Sequence, residues 1–320
     1  MNISQTAEFL RQHDNYLVLT HHRPDGDAHG SAEAITIALR RMGKTAYIMK
    51  NPETTDKYLR FVQPFWAPED YVPDTVITVD IASEGLFLKG AEKYRGMVDL
   101  AIDHHPSNSG YAKNLCLDGS RASCGEVIYD LLCELGIEID SRIAEPLYVA
   151  VSTDTGCFAF ANTTANTFNV AGKLAETGLN FRILNRDLFR TKSRRRFELE
   201  GLIMSGVEFY FGGKVSVITI TKKMMEQTGC TENDMDDIAA MPGSIEGVLC
   251  GITLRELSSE NDCKVSVRTS PDVDANALCG TLGGGGHKMA AGASPEGMTV
   301  IEIKEKLIEA LKEVFPGEEK

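Results

Sequence analysis

The chain has 320 residues, 42% of them hydrophobic and 25% charged, with a formal net charge of −13. That length suits two domains rather than one core, and the composition is that of a folded globular protein rather than a disordered one. The acidic balance argues against a protein that grips long duplexes through many phosphate contacts, but permits a small anionic substrate whose charge is met by bound metal ions.

Eight cysteines occur with no CxxC pair, so a zinc ribbon or redox motif is not expected. The N-terminus lacks the basic and apolar regions of a signal peptide, and no stretch has the length to cross a bilayer. A cytoplasmic protein with reduced thiols and no membrane partner is the expectation.

In chain order, residues 16–20 (YLVLT) read as a buried strand, followed by a polar turn, HHRPDGDAHG. Apolar spacing then predicts a helix over 30–43, ended by Gly43. Residues 45–49, 75–79 and 98–102 are strand candidates, and 123–136 and 141–152 are helix candidates. This alternation predicts an α/β fold with a mostly parallel sheet flanked by helices, over a first domain of residues 1–185. The stretch 164–208 is helical and charged; its basic run KSRRRFELEG reads as a solvated helix face, and 186–208 as a helical linker. Residues 209–320 form a smaller α/β domain. VEFYF and KVSVITIT flank Gly212-Gly213 as a hairpin, strands follow at 247–255 and 263–269, then a glycine-rich segment and a helix over 301–314.

Six of the seven histidines fall in three short segments. The first, 20–31, leaves the carboxyl end of the first strand, where open α/β sheets bind ligands. Pro24 and Gly26 can turn the chain so that His21, Asp25 and Asp27 share one space. Imidazole and carboxylate together suit Mn²⁺ better than a thiophilic metal. Asp80 ends the second apolar run; a lone aspartate there is commonly a helix cap, and its weight comes from its company. Asp103-His104-His105 ends another. A metal-binding histidine usually donates its second ring N–H to a carboxylate, which makes Asp103 a candidate partner, and adjacent imidazoles permit one to face metal and the other substrate. Asp154 follows a helical pattern in STDTG, whose polar turn could aim it inward. His21, Asp25, Asp27, Asp80, His104 and Asp154 would supply two metals: four carboxylates balance two divalent cations, and one must bridge if the ions sit roughly 3.5–4 Å apart. Far downstream, Gly283–Gly286 and His287 could expose backbone N–H groups as an anion-binding concavity, although no Walker lysine follows. Arg268, in the preceding strand, could meet a phosphate bidentately if that loop lies nearby.

Taken in order, HHRPDGDAHGS, VDIAS, DHH, STDTGCF, SVRTS and GGGGHKMAAG resemble the DHH phosphoesterase family in its branch with a C-terminal DHHA1 domain, and within it the nanoRNase/pAp-phosphatase type. The resemblance implies a homodimeric hydrolase that trims two- to five-nucleotide RNA to mononucleotides and converts adenosine 3′,5′-bisphosphate (pAp) to AMP. It implies two Mn²⁺, with Mg²⁺ or Co²⁺ as substitutes: one on His21, Asp25 and bridging Asp80, the other on Asp27, Asp80, His104 and Asp154. His105 would contact the scissile phosphate or aid the leaving group with Asp103 behind it. Arg268 would assist, and with Ser266, Gly284, Gly285, Gly286 and His287 would hold the substrate. Arg23, His29 and Cys124 depart from the commonest family form without touching a ligand position. Two other readings stand beside this one: hydrolysis of cyclic di-AMP or its product pApA at the same site, and a nucleotide-binding regulator without turnover, which predicts broken ligand positions.

Overall fold

The chain divides at Thr191 into two units, each with its own sheet. The computed structural model describes residues 1–235, 237–257 and 262–317; the end of the expected second domain, 318–320, lies outside the described residues.

The first unit runs α1 (Ile3–Gln12), β1 (Tyr16–Leu19), α2 (Gly26–Arg41), β2 (Ala46–Ile48), α3 (Asp56–Val62), β3 (Thr75–Val79), β4 (Leu100–Asp103), β5 (Leu115–Leu117), α4 (Cys124–Leu135), α5 (Ser141–Asp154), α6 (Ala165–Glu176) and α7 (Phe181–Asn185). Every residue of β1, β3 and β4 is buried, the signature of strands covered on both faces. The sheet is parallel throughout, in the order β2-β1-β3-β4-β5. The chain therefore winds outward in both directions from the boundary between β1 and β3, and the crevice beyond their carboxyl ends is a topological switch point. Helices α2 and α5 pack closely because Gly30 has no side chain; a Cβ there would collide with the carbonyl oxygen of Pro146. That approach carries the first turn of α2 to the last turn of α5.

Helix α2 starts four residues before the predicted position, inside the expected polar turn, because the Asp25 carboxylate accepts the N–H groups of Asp27 and Ala28 as an N-cap. Helix α5 runs on to Asp154 rather than stopping at 152.

The second unit comprises α8 (Arg194–Ser205), β6 (Glu208–Tyr210), β7 (Val215–Ile220), α9 (Lys222–Thr228), β8 (Cys250–Glu256), β9 (Cys263–Thr269), α10 (Ala275–Gly280), β10 (Gly285–His287), β11 (Ala290–Ala293) and α11 (Val300–Leu311). Its mixed sheet has the order β10-β11-β9-β8-β7-β6, with the expected antiparallel β6–β7 pair and a parallel β7–β8 pair. Val217, Ile252, Val265 and Val267 pack in one core with Ile303 and Leu307 of α11. Strand β8 begins at Cys250 rather than 247, where Gly247 takes a left-handed φ of 83° and turns the chain.

The basic run is largely the solvated face that its composition suggested, with Lys192, Arg194 and Arg195 exposed, but it is not solvated throughout. Arg196 is buried, donating from Nε to Glu200 at 2.7 Å and from Nη1 to the Asp234 carbonyl. Arg195 Nε and Ser193 Oγ donate to one oxygen of the Asp234 carboxylate at 2.9 and 3.0 Å. Arg194 alone of the three arginines points fully outward, 93% exposed.

Candidate metal centre

The site is assembled from four segments, each leaving a different element of the first unit. His21 follows β1, and its Nδ1–H donates to the His22 carbonyl at 2.7 Å, which leaves Nε2 as an open lone pair. That Nε2 lies 3.9 Å from Asp25 Oδ1 and 3.8 Å from Asp80 Oδ2. Asp27, in the first turn of α2, is buried against the N-terminus of α4: Oδ2 accepts the Cys124 N–H at 2.6 Å, and Oδ1 accepts the Gly125 N–H at 2.9 Å and the Ser31 hydroxyl at 3.1 Å. The helix terminus favours a negative charge there.

Asp80 immediately follows β3 and is no helix cap. Its φ is 59°, a left-handed conformation that costs an ordinary residue energy and is typical of functional turns. The turn aims the carboxylate so that Oδ2 faces His21 while Oδ1 faces His104 Nε2 at 3.5 Å. His104 repeats the His21 arrangement: Nδ1–H donates to the Arg121 carbonyl at 3.2 Å, and Nε2 also sits 3.7 Å from Asp27 Oδ2 and 3.6 Å from Asp154 Oδ2.

Asp103 does not partner His104 as the sequence suggested. Its Oδ1 accepts the His105 Nδ1–H at 2.8 Å and the backbone N–H groups of His104 and His105, and Oδ2 accepts Asn108 Nδ2 at 2.6 Å. A carboxylate at the start of a tight turn folds back over the next two residues, so it reaches the second imidazole and the backbone carbonyl of Arg121 serves the first. Burial pushes the Asp103 carboxyl up, but the donors from His105 and Asn108 outweigh it and hold the group below its ordinary value. His105 is 42% exposed, with Nε2 left for a ligand.

Asp154 is the last residue of α5. The hydroxyls of Thr153 and Thr155 donate back into their own helix, to Val149 and Val151, and Thr155 Oγ1 accepts the Phe158 N–H at 3.2 Å in the turn that follows. Asn162 Nδ2 ties the Asp154 carbonyl, at 3.0 Å, to that of Ala122, at 3.1 Å.

Divalent cations fit this cluster. Nitrogen and oxygen atoms 3.5–3.9 Å apart are too distant to hydrogen-bond each other, yet have the spacing of donors that each stand about 2 Å from a shared ion. Asp80 Oδ1 and His104 Nε2 are buried without a hydrogen-bond partner. Burial raises the Asp27 carboxyl, with the Asp154 charge adding to it. Burial likewise raises Asp80 well above the usual carboxylate range, reinforced by Asp27 and Asp25. Asp154 is raised too, against the pull of His104. Crowded carboxylates of this kind call for positive charge. The donors fall into His21, Asp25 and Asp80 on one side and Asp27, His104 and Asp154 on the other, with Asp80 facing both.

In the second unit, Arg268 stands on β9, its Nη1 donating to the Val267 carbonyl at 3.0 Å. With Lys264, Ser266, Gly284, Gly285 and Gly286 it lines a groove of about 470 Å³. The glycines are not the free N–H cradle that was expected. The N–H groups of Gly283, Gly284 and Gly286 donate to the Gly280 carbonyl, the Cys279 carbonyl and Asn276 Oδ1, and Gly285–His287 pairs with β11 as an edge strand. Gly284 is there for close strand approach, since a Cβ would strike the Gly292 carbonyl. His287 ends β10, exposed.

Sequence reasoning passed over Ser31, Asn108, Arg121, Asn162 and the N-terminus of α4. Only the last carried a signal: Ser123 precedes an apolar helix with Glu126 three residues on, and does cap α4.

Residues 15–151 match the DHH family, N-terminal domain, and residues 212–315 match the DHHA1 domain. A bifunctional oligoribonuclease and PAP phosphatase NrnA of Thermus thermophilus is 33% identical over 298 residues, covering 92% of this chain and 89% of that protein. The Bacillus subtilis protein of the same name is 31% identical over 288 residues, 88% of this chain and 90% of its own. In fold, the chain resembles the crystal structure of an exopolyphosphatase-related protein from Bacteroides fragilis, with a TM-score of 0.86, 22% identity, and 98% of this chain and 97% of that one covered. No helix among the described residues is long and apolar enough to cross a membrane.

Proposed function

The chain belongs to the DHH family and is a phosphoesterase, and from that premise we propose that it hydrolyses two- to five-nucleotide RNA to mononucleotides and pAp to AMP. The observation that carries this reading is the divided carboxylate of Asp80, one oxygen toward His21 and the other toward His104. His21, Asp25 and Asp80 hold one Mn²⁺; Asp27, Asp80, His104 and Asp154 hold the other, with Mg²⁺ or Co²⁺ as substitutes. When bound, such a pair of ions supplies an activated water and positive charge for phosphoryl oxygens.

The protein's own groups do the rest. His21 and His104 are fixed by backbone carbonyls in the tautomer that presents Nε2. Asp103 holds His105 by its Nδ1–H, so Nε2 is offered to the scissile phosphate or the leaving oxygen. Arg268 binds a substrate phosphate with Ser266 in the groove that Gly284–Gly286 line, and His287 on the same edge strand contacts the substrate. Short substrates agree with the acidic surface and a groove of this size. A cytoplasmic homodimer is part of the same reading.

The test is hydrolysis of two- to five-nucleotide RNAs, pAp, pApA, cyclic di-AMP and pyrophosphate, with Mn²⁺, Mg²⁺ or Co²⁺ added to chelator-stripped protein. Dinucleotides and pAp turning over fastest, with Mn²⁺, is the expected result. Preference for cyclic di-AMP or pApA would reassign the substrate, and tight pAp binding without any product would overturn the catalytic reading.

A further inference from the structure

Asn108 lies in the turn after the Asp103–His105 triplet and is neither one of the six candidate ligands nor part of the groove. Its side chain is nonetheless fully engaged. Oδ1 accepts the Gly110 N–H at 2.8 Å, which fixes the orientation of the amide. Nδ2 then donates to Asp103 Oδ2 at 2.6 Å and to the Ile81 carbonyl at 3.1 Å, using both of its hydrogens. One acceptor is the carboxylate whose other oxygen holds His105. The other is the carbonyl of the residue that follows Asp80.

The loop that begins at Asp80 needs such support, because a left-handed aspartate persists only where its surroundings over-determine it. The Asp80 N–H donates to the Ile102 carbonyl at 3.0 Å. The turn carrying Asn108 adds two more ties: Tyr111 Oη donates to the Ile81 carbonyl at 3.1 Å, and the Ser109 N–H donates to the Ala82 carbonyl at 2.9 Å. Among these, Asn108 is the one side chain that reaches both the Asp80 loop and the Asp103 carboxylate.

We propose that Asn108 is a positioning residue that locks the Asp80 carboxylate and the His105 imidazole into one mutual arrangement. The proposal rests on the roles given above to Asp80 and His105. Asn108→Asp is the sharp variant, since it keeps the shape but puts a carboxylate oxygen where an N–H donor faced two acceptors; Asn108→Ala removes the tie, and Asn108→Ser retains a short donor should either of the others fail to fold.

The experiment measures kcat and KM on a dinucleotide and on pAp, and Mn²⁺ affinity by calorimetry, for each variant alone and combined with Asp103→Asn. Losing a residue that orients a metal site costs about 10–100-fold. The expected result is a fall of that size in kcat for Asn108→Ala, a larger one for Asn108→Asp, KM within about threefold of wild type, and weaker Mn²⁺ binding. In the Asp103→Asn background, Asn108→Ala should cost less than about threefold more, because the two act through one contact. Effects that multiply, or an Asn108→Ala protein with kcat and Mn²⁺ affinity within about twofold of wild type, would overturn it. If the wild-type protein turned over neither substrate, the functional reading would fail, while Mn²⁺ affinity would still test the tie between Asn108 and Asp80.

Discussion

The candidate groups of the first unit are side chains that converge from four separate segments; those of the second are one arginine beside a glycine-rich edge strand. Around Asp27, Asp103, His21 and His104, side-chain atoms not facing the cluster are fixed by hydrogen bonds to main chain or side chain. Around Arg268, the glycine N–H groups are largely committed to the protein's own carbonyls and to Asn276. A cluster of like charges has to be held against its own repulsion, whereas a groove for an anion needs mainly an unneutralised cation and room beside it. Among the described residues, Arg268 has no carboxylate within ion-pairing distance, so its charge is available to a phosphate.

That contrast predicts a division of labour that mutation can break. The largest effect is expected from Asp27→Asn, which keeps the shape but removes charge from a carboxylate held by three donors. Loss of about 10³-fold or more in kcat, with Mn²⁺ affinity falling alongside, is the expected outcome of kinetics and calorimetry on one preparation. Arg268→Ala should lower kcat/KM by about 10–100-fold through a lost charge-assisted phosphate contact while leaving Mn²⁺ affinity at the wild-type value. If Arg268→Ala weakened Mn²⁺ binding as much as Asp27→Asn did, the division between the two regions would be wrong.

The remaining effect is on pH dependence, and it belongs to the first unit alone. In the metal-free protein the Asp27 carboxyl is pushed up to about 7 and that of Asp154 to about 6. Both lie above the ordinary carboxylate value, so the folded state binds more protons than the unfolded one between about pH 4 and 7. Their contribution to stability is therefore present at the acid end and is lost as pH rises through the folded-state values. Metal must displace the same protons, so Mn²⁺ affinity should weaken by up to about tenfold per pH unit for each proton displaced as pH falls from 8 to 5. Thermal unfolding in chelator and in excess Mn²⁺, at both ends of that range, should show the stabilisation by metal growing with pH. The same shift in an Asp27→Asn protein would mean that other groups cause it.

The sequence was more informative about the first unit than about the second, for the same physical reason. Strands buried on both faces are continuous apolar runs, and a polar residue ending such a run stands out; His21, Asp80 and the Asp103–His105 triplet were visible in that way. The partners that aim them were not. Arg121 acts through its carbonyl, Cys124 and Gly125 through their N–H groups, and Asn108 and Asn162 reach across folded loops, so none leaves a mark in residue type apart from the Ser123–Glu126 capping signal at the start of α4. The pairing of Asp103 with His105 rather than His104 depends on how one turn closes. In the glycine-rich segment, composition could not distinguish a loop with free N–H groups from an edge strand whose neighbour comes too near for a side chain. In the basic run, the ties of Ser193 and Arg195 to Asp234 were not visible either, because Asp234 lies some forty residues away.

Asp80 would be the ligand shared by two ions. Calorimetric titration of chelator-stripped protein with Mn²⁺, on wild type and Asp80→Asn, tests it most directly. Two ions per chain for wild type, and weakened binding of both in Asp80→Asn, is the result expected of a carboxylate whose oxygens face His21 and His104. A single ion in wild type, or two ions bound with unchanged affinity in Asp80→Asn, would contradict it.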